Sequence, residues 1–333
     1  MSLLASFRNP VKPILVVGDV MLDRFNYGVL ADHNPESDAD SFNINKVEYR
    51  AGGAANVALN LRALGAPVIL GGIVGNDSEG SQLQALLQQH DVQTLFTSDG
   101  RQTTVKTRHI FENTGQHKLR SNYESKADIS HDVADQFIHE HSHLLEGGIS
   151  AIAFSDYAKG FLTEYLTQTL IALARHQQIP ILVDTKPEKL SRYTGSTVLK
   201  PNRREAQHMV NVHLDGCLPN YRHPTIVDFC QRLRQHTGTE YVFVTCGEEG
   251  ILAIDPENTI SYAPALPCEH PDVTGAGDTI MALLTLGFAH HGKEVPVQEL
   301  LHIANAGGHI VVNKRGTSTA TLDEITAVLA KRF

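Results

Sequence analysis

Asp272-Val-Thr-Gly-Ala-Gly-Asp-Thr279, followed by the apolar run Ile280-Met-Ala-Leu-Leu-Thr-Leu286, decides how this chain is read. Small residues ahead of an apolar run predict a tight loop that opens a helix. Backbone N–H groups at a helix N-terminus, with no side chains in the way, form an anion site. Asp278 would stand in the first turn beside the anion. A carboxylate repels a phosphate that is merely bound. A phosphoryl group passing to a hydroxyl needs one, because the hydroxyl proton needs a base. The stretch therefore points to phosphoryl transfer, with Asp278 as the base.

Working outward, short apolar runs end in polar residues. Ile14–17 leads to Gly18-Asp19, Ala151–Ser155 to Asp156, and 181–183 to Asp184. Residues 197–199 lead to Lys200-Pro-Asn202, and Tyr241–Thr245 ends before Gly247. The second half alternates such runs with helical stretches, which predicts a parallel sheet with helices on both faces. Ligands of such sheets bind beyond the strand C-terminal ends, so these acids converge. Residues 52–65 have helical spacing with Gly65 as C-cap, 68–74 predict a strand, and 78–90 an amphipathic helix. Phe42, Ile44, Val47 and Tyr49 alternate imperfectly, which predicts a strand with a register shift near Asn45-Lys46. Residues 103–111 and 116–123 bracket Asn113-Thr-Gly115 as a hairpin. These early strands, within 21–50 and 103–123, interrupt the α/β rhythm and predict a small separate sheet placed as a lid.

Each candidate has a bland counterpart. Gly52-Gly53 permits close backbone approach and Asn56 can bond a hydroxyl, or the segment merely starts a helix. Asp19 can accept from sugar hydroxyls; Asp23 can do so or serve as a salt-bridge partner. Asp156 with Lys159, and Asp184 with Lys186, pair an acid with a phosphate-seeking ammonium or form local ion pairs. Lys106 and Arg108, and Lys118 and Arg120, sit at i, i+2 on the hairpin strands and could grip a substrate phosphate. Asn202 and Glu205 read as a helix cap or as organisers of Mg²⁺ and its waters near nucleotide phosphates. Thr245, Gly247 and Gly250 form a strand-to-turn passage that could admit a nucleotide. No Walker lysine motif and no protein-kinase motif set occurs.

Composition narrows the partners. With 333 residues the chain can bury a large core, and a net charge of −9 argues against nucleic acid or an anionic membrane surface. Cys217, Cys230, Cys246 and Cys268 show neither disulfide nor zinc spacing, so reduced thiols in the cytoplasm are expected. No signal peptide and no membrane span is read from the sequence.

The paired signatures Gly52-Gly-Ala-Ala-Asn56 and Asp272–Thr279, with Asn202-x-x-Glu205 between them, resemble the ribokinase-like (PfkB) carbohydrate kinases. Within that family the likeness is to the D-glycero-β-D-manno-heptose 7-phosphate kinases. It rests also on Gly18-Asp-Val-Met-Leu-Asp-Arg24, Asn34-Pro-Glu36, Ser155-Asp-Tyr-Ala-Lys-Gly160 and Gly316-Thr-Ser-Thr319, and spans nearly the whole chain. The resemblance implies a single α/β kinase domain over 1–333: a doubly wound, mostly parallel sheet plus a β-lid, shared in a homodimer. It implies an ATP- and Mg²⁺-dependent enzyme that phosphorylates a sugar phosphate at its anomeric hydroxyl, and a monovalent cation near Asp272. Asp278 is implied as base, with Gly275–Gly277 as anion hole. Asp19, Gly52, Gly53, Asn56, Asp156 and Lys186 are implied at the sugar, and Asn202, Glu205, Thr245, Gly247, Gly250 and Asn305 at the nucleotide. Heptose kinases can carry a fused nucleotidyltransferase domain, for which a chain ending at Phe333 leaves no room. The lid stretch Ser37–Ile44 is more polar than theirs, Asp184-Thr-Lys-Pro187 replaces their Asp-Pro-Lys-Gly, and Asn122 stands where they have Asp. A kinase for another sugar, a non-catalytic sugar sensor and, less favoured, a nicotinamide dehydrogenase are the alternatives. The dehydrogenase lacks a G-x-G-x-x-G after the first strand.

Overall fold

In a computed structural model, which describes residues 2–30, 41–213, 221–269, 271–314 and 316–331, the first strand β1 (Ile14–Gly18) lies inside a large sheet rather than at its edge. Its flanking neighbours are β4 (Val68–Ile73) and β8 (Ala151–Ser155), both parallel to it. Such a strand is covered on both faces and can be apolar throughout, as Ile14-Leu-Val-Val17 is. From β8 the sheet continues parallel through β9 (Ile181–Asp184), β10 (Val198–Leu199) and β11 (Tyr241–Thr245). It then turns antiparallel through β12 (Ile251–Ile254) and β13 (Ile260–Ala263). The far edge is β5 (Gln93–Thr97), for which no strand was expected. The nine strands run β13-β12-β11-β10-β9-β8-β1-β4-β5.

β1, β8, β9, β10 and β11 are consecutive and parallel, so their C-terminal ends share one edge of the sheet. Asp19, Asp156, Asp184, Asn202 and Thr245 all leave from that edge. The expected convergence is thus a consequence of strand order.

The early strands form the separate sheet that was expected, in the order β3-β2-β6-β7: β2 (Val20–Leu30), β3 (Phe42–Gly53), β6 (Val105–Phe111) and β7 (His117–Tyr123). Tyr27 pairs with Lys46 but Gly28 with Ile44, so Asn45 is bulged where the imperfect alternation suggested. The lid residues 34–40 quoted above, and Cys217, lie outside the described residues.

Helix α2 (Ala54–Ala63) starts two residues later than expected, because Gly52 and Gly53 still pair with β2. Both glycines are forced by proximity. A Cβ on Gly53, at φ +60°, would stand 2.3 Å from the Asp19 carbonyl, and one on Gly52 would stand 2.8 Å from the Asp23 carboxylate. Gly65 follows α2 at φ +90°, the left-handed position of a C-terminal cap. Helix α8 (Ala276–His291) is buried from Asp278 to Phe288. It packs against α2, α9 (Val297–Val312), β8 and β9, which explains the unbroken apolar run after Thr279. Each fully buried Leu or Met there contributes roughly 1.5–3 kcal/mol. This rod of core carries the glycine loop to the edge where the strand-end acids emerge.

Candidate active site

Gly275 caps α8 in the left-handed conformation, at φ +81°. A Cβ there would stand 2.8 Å from the Asn56 amide nitrogen, so glycine is needed both for backbone shape and for clearance. Thr279 makes the first helical bond, to the Gly275 carbonyl at 3.0 Å. The amides of Gly277 and Asp278 therefore have no partner within the helix. Ala276, expected in the anion hole, turns its N–H back to the Val273 carbonyl at 3.3 Å. The amides left free at this helix start are those of Gly277 and Asp278, whereas Gly275, Ala276 and Gly277 were expected to line an anion site.

Asp278 is 4 % exposed and gripped from two sides. Asn56 Nδ2 from α2 donates to Oδ2 at 2.7 Å, and Tyr157 Oη donates to Oδ1 at 2.8 Å. A carboxylate only accepts, so the Asn56 amide must present its nitrogen. Burial pushes the Asp278 carboxyl up to about 6 against the pull of the Asn56 and Tyr157 hydrogen bonds; Asp184 pushes the same way and Lys200 pulls back. Asn56, expected to face a sugar hydroxyl, instead holds this carboxylate, and Asn60 ties it to Thr279.

Two strand-end acids also have different neighbours from those expected. Asp19 accepts from the backbone amides of Tyr157 (2.8 Å), Lys159 (2.9 Å) and Phe161 (3.3 Å). Asp156 accepts from Ala158 N at 2.8 Å, Thr185 Oγ1 at 3.0 Å and Tyr193 Oη at 2.6 Å. Both carboxylates thus shape the loop after β8 rather than offering their oxygens to a cleft. Thr185, where the resembled kinases have proline, contributes a hydroxyl to that task. Asp19 is raised to about 6, by burial first and by Asp156 second.

Lys159 was expected at a phosphate, but its Nζ pairs with Glu124, just beyond β7, at 2.8 Å. It links the loop to the four-stranded sheet. Lys186, expected at the sugar, lies 2.7 Å from Glu205 and 5.8 Å from the centroid of the Tyr157 ring. Lys200, which the sequence reading passed over, is 3 % exposed and pairs with Asp184 at 2.8 Å. Its ammonium is also the group that a Cβ on Gly277 would face, at 3.7 Å. A lysine directly after the apolar run 197–199, just before Pro201-Asn202, was the available signal.

On the four-stranded sheet, register aligns Asp23 with Lys106 and Asn122, and Phe25 with Arg108 and Arg120. Lys106 is buried, its ammonium 5.0 Å from the Tyr157 ring centroid, and burial lowers its pKa. That contact turns this row toward Asp278. Arg108 sits 3.0 Å from Asp23, off the line of a hydrogen bond, and directly opposite Arg120. Arg120 donates to Asn122 at 3.1 Å. Lys118 is out of the row, since the β6–β7 register shifts after His109, and its ammonium lies 5.7 Å from the Phe111 ring centroid.

Asn202 and Glu205 form a reciprocal capping box on α6 (Arg203–Val210), with bonds of 3.0 and 2.9 Å. Glu205 thus has one oxygen on the Asn202 amide and one on Lys186. Asp184 and Glu205 face each other, each balanced by a lysine. Mg²⁺ takes one or two carboxylates and keeps several waters, and this donor set fits such a hydrated ion. Thr245 bridges to Asn202, and Gly247 and Gly250 turn the chain at φ +57° and +108°. Asn305 ties α9 to the end of β13 through the Ala263 and Pro264 carbonyls. Asp272 accepts from Thr274 N at 3.1 Å and Gly316 N at 2.7 Å, fixing the loop to the C-terminal segment.

No described helix is long and apolar enough to cross a membrane. Residues 12–324 match the pfkB family of carbohydrate kinases. The chain is 38% identical over 326 residues to the bifunctional protein HldE of Magnetococcus marinus, covering 96% of this chain and 64% of that protein. It is 34% identical to the bifunctional protein HldE of Aliarcobacter butzleri, covering 94% of this chain and 63% of the relative. The chain thus spans just under two thirds of the length of these relatives. Phosphofructokinase-2 from Escherichia coli, solved in complex with potassium, superimposes with a TM-score of 0.77, covering 96% of this chain and 99% of that one at 21% identity, a likeness of fold. On its matched length and its relatives, the chain belongs to the pfkB family of carbohydrate kinases and is a phosphotransferase.

Proposed function

We propose that this kinase transfers the γ-phosphoryl group of ATP to the anomeric hydroxyl of a phosphorylated sugar, D-glycero-D-manno-heptose 7-phosphate. The observation that carries the chemistry is the buried Asp278 carboxylate beside the unpartnered Gly277 and Asp278 amides. As the acceptor oxygen bonds to phosphorus, its proton passes to Asp278 and ADP departs. The Gly277 and Asp278 amides and Lys200 stabilise charge on the group in flight. Asn202, Glu205, Asp184 and Lys186 form the phosphate end of the nucleotide site, and Thr245, Gly247, Gly250 and Asn305 its far end. Glu205 and Asp184 would hold a magnesium ion there, which would supply neutralisation of the nucleotide phosphates.

The substrate reading is supported by the row of Lys106, Arg108 and Arg120. Arg108, beside Asp23, stands directly opposite Arg120, and like charges so placed favour a further anion near them. A sugar phosphate reaching from that row to Asp278 satisfies both ends. The four-stranded sheet acts as the lid, with Lys159 and Glu124 as its latch. A second copy of the chain covers its outer face, where Leu30, Ile44, Val47, Tyr49, Leu119 and Tyr123 stand exposed.

The test is a panel of acceptors at limiting concentration, scored by ADP release, with Asp278→Asn as control. Heptose 7-phosphate should give the highest kcat/KM, and Asp278→Asn should lower kcat by at least about 100-fold, as expected for loss of a general base. Preference for an unphosphorylated sugar would overturn the substrate. Near-normal turnover in Asp278→Asn would overturn the chemistry.

A further inference from the structure

Tyr157 touches Asp278 through its hydroxyl and has no part in the proposed mechanism. Its backbone is locked in place: its amide donates to Asp19 at 2.8 Å, and the next residue, Ala158, is held at φ +56° with its amide on Asp156. A non-glycine residue in that left-handed conformation is strained and persists only where its surroundings over-determine it, as the bonds to Asp19 and Asp156 do here. Two ammonium groups lie over its ring, Lys106 from β6 at 5.0 Å and Lys186 from beyond β9 at 5.8 Å. Its hydroxyl reaches Asp278 Oδ1 while Asn56 holds Oδ2.

We propose that Tyr157 is a positioning residue for the base: its phenol hydroxyl orients the Asp278 carboxylate and stabilises it as the anion. The inference rests on the reading of Asp278 as the base. Burial, then the charge of Asp278, push the Tyr157 phenol well above its usual range, so it stays a donor wherever the enzyme works. The groups facing Asp278 are Asn56 from α2, Tyr157 from the loop after β8, Asp184 at the end of β9 and Lys200 after β10. Asp184 disfavours the anion, and Lys200 is already paired with Asp184. That leaves Asn56 and Tyr157 to counter burial directly. The arrangement also gives Asp19 and Asp156 a purpose, since both shape the loop that delivers the phenol.

The experiment compares Tyr157→Phe with wild type, using MgATP and heptose 7-phosphate from pH 5 to 9. Loss of a hydrogen bond to the anion should move the acid limb of kcat/KM up by about half to one pH unit. It should lower kcat about tenfold while leaving the KM for the sugar within about twofold. A ring-fluorinated tyrosine at 157, a stronger donor, should move the limb the other way. A limb that stays put in both variants, or an equal loss at every pH with a lowered Tm, overturns the proposal. A measurement independent of the acceptor follows the pH above which the stability advantage of Asp278→Asn over its parent stops growing, which is set by the folded-state pKa of Asp278. That pH should rise in the Tyr157→Phe background. Active Asp278→Asn means the base is misassigned; inactive Asp278→Asn with an unaltered Tyr157→Phe means only the role of Tyr157 is wrong.

Discussion

Asp278 weighs on stability as well as on chemistry. Its carboxyl, raised from 3.8 to about 6 chiefly by burial, holds its proton in the folded chain over a range where the unfolded chain has released it. The stability it contributes is therefore complete below pH 3.8 and is lost as pH rises through about 6. A shift of about two units corresponds to roughly 3 kcal/mol. Asp19, raised to about 6 by burial and Asp156, acts with the same sign. Asp278→Asn, which removes the buried charge, should be more stable than wild type at pH 8 by up to about 3 kcal/mol, with the gap closed at pH 4. Urea unfolding at the two pH values measures this, and equal stability at pH 8 would contradict it. The acid limb of activity should likewise lie near pH 6, since only the anion accepts a proton.

At the scale of elements, the first turn of α8 separates two glycines that look equivalent in Gly-Ala-Gly. Gly275→Ala puts a β-carbon into a left-handed position and against Asn56, 2.8 Å away. It should cost about 1–2 kcal/mol and dislodge a ligand of the base, so Tm and kcat fall together. Gly277→Ala meets only Lys200, at 3.7 Å, within a helix. Its Tm should hold or rise, by up to about 1 kcal/mol of helix propensity, while the crowded amides lower kcat. Thermal melts beside kinetics separate the two. Much of this element was legible in advance, because loop, helix start and carboxylate are neighbours in sequence. The strand-end acids were legible too, since a buried strand ending in Asp carries its own signal. Their partners were not. Asn56 and Asp278 are 222 positions apart and Tyr157 and Asp278 are 121 apart, so no local pattern records the contact. Asp19 and Asp156 look from sequence like sugar ligands because sequence shows a carboxylate but not the backbone amides that fill it. Tyr157 was missed although it follows Asp156 directly, because an aromatic residue in a loop has a dozen ordinary explanations.

At the scale of the whole molecule, the small sheet has one face on the site and one outward. The alternation along β2, β3 and β7 puts Leu30, Ile44, Val47, Tyr49, Leu119 and Tyr123 on the outer face. If a second copy covers that face, Leu119→Lys with Ile44→Lys should convert a dimer to monomer in light scattering, with little change in the monomer's Tm. A wild type that is monomeric at micromolar concentration would remove the idea. The fold also fixes when the site exists. Chains emerge N-terminus first and begin to fold during synthesis. The part of the site drawn from Asn56, Lys106 and the loop after Asp156 is made early. The transfer loop is moored only when Gly316, 44 residues after Asp272, supplies its amide. A copy still on the ribosome, or one cut short before that residue, would have a cleft for the acceptor without a fixed loop to act on it. Consumption of nucleotide would therefore begin only once synthesis has passed Gly316.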